Sequence, residues 1–67
     1  MNNLNLKNYY GKNVTIICYD GNIYTGIVDD YFYPQDNETG EESILLKYKN
    51  SEIVEFTSSD IEEIFTN

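Results

Sequence analysis

The chain has no histidine and no arginine, and it has one cysteine, Cys18, and one proline, Pro34. Each shortage closes off a chemistry. Without histidine there is no Ser-His or Cys-His pair for nucleophilic catalysis, and a structural zinc site lacks its usual ligands. A single cysteine forms no intramolecular disulfide and gives no reason to expect an oxidising compartment. With no arginine, four lysines face twelve acidic residues, and the formal net charge is −8. Nucleic-acid binders carry clustered Lys and Arg that replace phosphate counterions, and this chain presents the opposite field. The acidity reads as solubility on one side and as attraction to a basic partner on the other. No apolar run approaches the roughly 20 residues that span a bilayer. Met1 to Lys7 is not a basic start followed by an apolar stretch, so neither a signal peptide nor a membrane partner is expected. The expected location is cytoplasmic.

What is present is short-period apolar alternation. The 67 residues allow one domain over 1–67 and one core, and a domain of this size buries only about 60% of its unfolded surface. Val14, Ile16 and Cys18 share one parity, with Thr15, Ile17 and Tyr19 on the other, in a β-branched run that reads as a strand. Asp20-Gly21 then reads as a tight hairpin turn, because glycine accepts positive φ and aspartate tolerates it. The following strand places Tyr24, Gly26 and Val28 on one face and Ile23, Thr25 and Ile27 on the other. Gly26 within it implies a sharp bend or a close backbone approach. Pro34 to Glu42 is a polar loop. Ser43 to Tyr48 is a strand with Ile44, Leu46 and Tyr48 opposite Leu45 and Lys47, and Lys49-Asn50-Ser51 is a short turn. Ile53, Val54 and Phe56 mark a fourth strand, Thr57 to Asp60 a polar break or single helical turn, and Ile61, Ile64 and Phe65 a fifth. Tyr24, Phe56 and Phe65 are assigned to the core.

The N-terminus has a different pattern. Leu4, Leu6, Tyr9 and Tyr10 precede Gly11, a helix C-cap residue, and Asn2 or Asn3 is placed to cap the start. The expectation is a helix over about 3–10, of about two turns, packed on the rest because it is too short to stand alone. Five strands on short connections predict an antiparallel meander, and closing it into a barrel over about 12–66 hides the sheet edges.

Tyr10-Gly11-Lys12-Asn13-Val14-Thr15-Ile16, then Asp20-Gly21, then Tyr24-Thr25-Gly26-Ile27-Val28, resembles the first motif of the Sm-like family of small β-barrels. The resemblance covers roughly the first half of the chain. It implies a mainly β fold: a short N-terminal helix and a strongly bent, five-stranded antiparallel SH3-like barrel. It does not carry over the family's RNA-binding residues. Where that motif continues with an aspartate and an asparagine that hold a base, this chain has Tyr31-Phe32-Tyr33. Where the second motif has Arg-Gly or Lys-His, it has Thr57-Ser58. The resemblance also implies a ring in which the fourth strand, about Glu52 to Thr57, pairs with the next subunit's fifth, about Ile61 to Asn67. Glu52, Glu55, Glu62 and Glu63 on those edges oppose such pairing, so a monomer or small oligomer is expected over a closed ring.

Three groups of residues remain to be weighed. Cys18 falls on the face of Val14 and Ile16 and reads as a buried small hydrophobe. The carboxylate pairs Asp29-Asp30, Glu41-Glu42 and Glu62-Glu63 are strand or loop neighbours that point apart, so they do not form acid–base dyads. The loop Asp36 to Glu42 lacks the alternate acidic spacing of a calcium loop and reads as a solvated hairpin loop. Tyr31, Phe32 and Tyr33 are three consecutive aromatics at a strand end, and one strand face cannot bury all three. They serve either as a binding surface, together with Asp29, or as a cover for a barrel end or the N-terminal helix.

These features predict a non-enzymatic module that binds a protein partner or itself, with no cofactor and no metal. The expected interaction surface is Asp29, Tyr31, Phe32 and Tyr33. A divergent RNA-binding Sm-like protein and an acidic mimic of nucleic acid are the alternatives.

Overall fold

Alternation and turn chemistry produce the expected number of strands. The computed structural model describes residues 4–49 and 51–67. The strands are β1 (Asn13–Cys18), β2 (Ile23–Phe32), β3 (Ser43–Tyr48), β4 (Glu52–Thr57) and β5 (Ile61–Thr66). They form one antiparallel sheet in the order β4-β3-β2-β1-β5. The Asp20-Gly21 turn closes β1 onto β2 as its chemistry predicts: Gly21 has φ 93°, and the Gly21 N–H donates to the Cys18 carbonyl at 2.9 Å. The expected caps Asn2 and Asn3 lie outside the described residues, as does Asn50 at the centre of the expected Lys49–Ser51 turn.

The connection order departs from a simple meander. β1 to β4 follow one another across the sheet, but β5 returns to the far side and pairs with β1. A three-residue 3-10 turn, Ser58–Asp60, makes this possible. Its capping box, in which Asp60 Oδ2 accepts the Thr57 N–H at 3.0 Å, turns the chain out of β4 instead of folding it back as a hairpin. β4 and β5 are therefore the outer strands, and the sheet is not closed by pairing between them.

The sheet nevertheless wraps round its own inner face. The Tyr24 ring on β2 lies 5.0 Å from the Phe56 ring on β4, two strands away. In the ladder Phe56 faces Ile44, and Ile44 faces Tyr31, well along β2 from Tyr24. At about 3.3 Å per residue a flat sheet would hold the two rings roughly 20 Å apart, so the sheet is strongly curved there. Gly26 is where the backbones close up: a Cβ built on it would fall inside contact distance of the Lys47 carbonyl oxygen and 2.9 Å from Tyr48 Cβ. The core inside this curve is Leu6, Val14, Ile16, Cys18, Val28, Ile44, Leu46, Phe56, Ile61 and Ile64.

Two further expectations are corrected. The N-terminal helix is one 3-10 turn, Leu6–Tyr9. Asn5 has left-handed φ and ψ, 52° and 53°, so the helix starts no earlier, and Gly11 at φ 78° carries the chain away after it. The turn is docked all the same, through fully buried Leu6. The second correction concerns Phe65, which is 42% exposed and not a core residue. The β1–β5 register shifts between Ile17 and Cys18, so Ile61 and Ile64, three apart, both turn inward. Phe65 follows Ile64 and projects outward opposite Thr15. Among the described residues no helix is long and apolar enough to cross a membrane.

Candidate functional site

The aromatic run sits at the end of β2, beyond a second irregularity. Val28 pairs with Leu46 and Asp30 with Leu45, which leaves Asp29 as the extra residue of a β-bulge. The bulge resets the parity of the strand. Val28 and Tyr31, three residues apart, both take the core side, and Tyr31 pairs with buried Ile44 and packs against the core. Phe32, half-buried, pairs with Ser43 and takes the opposite face. Tyr33 leaves the strand just before the 3-10 turn Pro34–Asp36 and is 42% exposed.

Of the four expected surface residues, the fold brings Tyr31 and Tyr33 together. Their ring centroids are 5.1 Å apart with planes at 79°, an edge-to-face pair. Asp29 is exposed on the bulge, and neither it nor Phe32 lines the cleft that the two tyrosines form. That cleft is completed by Lys7, Tyr10 and Asp30. Lys7 lies on the N-terminal turn and Tyr10 directly follows it, both more than twenty positions from the two tyrosines along the chain. No local pattern marks them; the exposed lysine and tyrosine beside Leu6 are visible in the sequence, but their neighbours are not.

Polar contacts fix the walls of the cleft. Tyr31 donates its hydroxyl to Glu42 Oε1 at 2.9 Å, and its backbone N–H to Asp30 Oδ1 at 2.8 Å. Burial pushes the Tyr31 hydroxyl up to about 12, with the hydrogen bond and negative charge of Glu42 adding to it, so it remains a neutral donor over the whole physiological range. The other Glu42 oxygen accepts the Leu6 N–H at 3.4 Å, tying the turn to the same carboxylate. The Lys7 ammonium lies 5.0 Å from the centroid of the Tyr33 ring.

The neighbouring carboxylate Glu41 has a different task. Its Oε1 accepts the Ser59 N–H at 2.8 Å and the Ser58 hydroxyl at 3.1 Å, binding the loop before β3 to the turn between β4 and β5. The Ser59 backbone bond is the main reason its carboxyl is held below the ordinary 4.5. A group depressed on folding contributes stability above its unfolded value, and that contribution is lost as the pH falls through the folded value. Glu41→Gln is therefore expected to lower the melting temperature at pH 7. The difference between variant and wild type should shrink as the pH falls below about 4.5. Melts at pH 7 and pH 3 check this, and an equal difference at both would mean that the carboxylate's charge contributes nothing.

A second cleft lies between the β1–β2 turn and the β4–β5 turn, lined by residues that include Cys18, Asp20, Tyr24, Glu55 and Asp60. Burial raises the Cys18 thiol, and Asp20 and Asp60 raise it further, so it stays protonated. These surroundings oppose nucleophilic activation.

Compared with models of protein families, with curated proteins and with solved structures, the chain matches none.

Proposed function

We propose that this domain is a non-enzymatic protein-interaction module built on an open SH3-like barrel of the Sm-like kind, with the Tyr10–Tyr31–Tyr33 cleft as its contact surface. In support of the barrel are the strand order, the curvature at Gly26 and the single 3-10 turn between β4 and β5. The observation that carries the function is the cleft itself. It holds two exposed tyrosines, Tyr10 and Tyr33, beside a third, Tyr31, that is held by Glu42 and Asp30. Tyrosine supplies a large contact area with few rotatable bonds, and immobilised walls reduce the entropy lost on binding.

The RNA-binding alternative is weaker on two counts. The −8 charge repels a phosphate backbone. At the position of the family's second motif, the Thr57 hydroxyl is already engaged with Asp60 and Ser59. The exposed glutamates Glu52 and Glu55 on β4, and Glu62 and Glu63 on β5, favour a monomer or small oligomer over edge-to-edge assembly.

Selection of a displayed random-peptide library on the immobilised domain tests the reading. Peptides enriched on the wild type are expected to lose binding to Tyr33→Ala. Labelled uridine or adenine oligomers should give no fluorescence-polarisation change at physiological salt. Micromolar binding of such an oligomer, or enrichment that ignores Tyr33, would reject the proposal.

A further inference from the structure

A lysine of this chain already occupies the cleft. Lys7 Nζ stands 5.0 Å from the Tyr33 ring centroid, inside the roughly 6 Å at which a cation is attracted to the face of an aromatic ring. The Tyr31 ring packs edge-to-face against that of Tyr33 at 5.1 Å, which limits its movement. Tyr10, 59% exposed, provides a further aromatic wall, and Asp30 places a carboxylate on the lining. Three tyrosines and a carboxylate line the cleft, and one of the rings already carries an ammonium group, which makes it a cation-receiving site. The rest of the chain is matched to such a ligand, since twelve acidic residues against four lysines draw positive charge toward the surface.

We infer that the cleft is a docking site for a basic segment of a partner protein, whose lysine or arginine takes the place that Lys7 holds on Tyr33 in the free domain. This rests on the reading of the cleft as a protein-binding surface, and adds to it the chemistry of the ligand and a competing group within the chain. Lys7 is exposed, on a turn anchored from beneath by Leu6, so its side chain swings away without unpacking the core. The domain thus carries a weak internal competitor, which an incoming cation must displace.

The test uses a short Gly-Ser peptide carrying arginine and lysine, and a neutral twin in which citrulline and acetyl-lysine replace them. Binding is followed through the aromatic proton resonances of the full chain. The basic peptide is expected to shift the Tyr10, Tyr31 and Tyr33 resonances, and its twin to leave them in place. Tyr33→Leu should abolish the effect, whereas Tyr33→Phe, which keeps the ring face, should retain it. Lys7→Gln is expected to tighten binding about threefold, the return from removing one exposed cation–ring contact. Lys47→Gln makes the same change of charge on an exposed position outside the cleft and should tighten it less. Equal binding of the twin, or equal gains from Lys7→Gln and Lys47→Gln, overturns the inference. If library-selected peptides depend on Tyr33 but seat uncharged residues there, the cation inference falls and the wider reading stands. If no peptide of either kind depends on Tyr33, both fall.

Discussion

Gly26→Val is expected to unfold the domain or lower its melting temperature by well over about 10 °C. Gly26 is not among the glycines with positive φ, so space alone decides the outcome. A Cβ there would meet the backbone carbonyl of Lys47 and, at 2.9 Å, the Cβ of Tyr48. Neither is the far end of a flexible chain. Relief requires β3 to move off β2, which separates Val28 from Leu46 and opens the core between them. Overpacking a core costs about 1–3 kcal/mol even where side chains can give way, and here backbone must move. A chain of this length has a total stability of only about 3–10 kcal/mol. Gly26→Ala should fall between wild type and Val, since it brings the clash without the branched methyls. Thermal melts by far-UV circular dichroism check the series. A valine variant melting within a few degrees of wild type would mean that β3 does not cross over Gly26.

Leu6→Ala is expected to cost about 2–5 kcal/mol, as a fully buried leucine truncated in a close-packed core does. Leu6 is 0% exposed and belongs to the same cluster as Ile44 and Leu46, although it lies outside every strand. Four residues of 3-10 turn have no stability of their own, so the docked leucine, the partly buried Leu4 and Tyr9 beside it, the Leu6 N–H bond to Glu42 and the Tyr9 hydroxyl bond to the Ile64 carbonyl hold the turn in place. Its loss should leave a cavity and loosen the turn, and with it the placement of Lys7 and Tyr10 in the cleft. Urea titration gives the magnitude, with Asn8→Ala as the control: Asn8 is exposed on the same turn and should change stability by no more than about 0.5 kcal/mol. Equal effects of the two substitutions would show that the turn is not part of the core.

The strands were legible because their cause is local. Val14, Ile16 and Cys18 alternate with Thr15 and Ile17, and the structure buries the first set more deeply than the second. The Asp20-Gly21 hairpin and the close approach at Gly26 follow from what one glycine permits and an ordinary side chain forbids. Parity fails wherever a bulge intervenes. The extra residue at Asp29 carries Tyr31 to the core side and Phe32 to the other, and the shift opposite Ile17 and Cys18 turns Phe65 outward. A bulge depends on the partner strand's register, which the bulged strand's own residues do not display.

By itself, the sequence determined five β-strands, a polar loop after Pro34, an acidic surface and the aromatic run at Tyr31, since composition, alternation and turn residues act within a few positions of one another. The tertiary structure alone decided that β5 pairs with β1, that the N-terminal turn docks through Leu6, and that Lys7 and Tyr10 come to stand beside Tyr33. Those contacts join residues far apart in the chain, and their stability comes from burying a shared core, for which no short-range pattern is required.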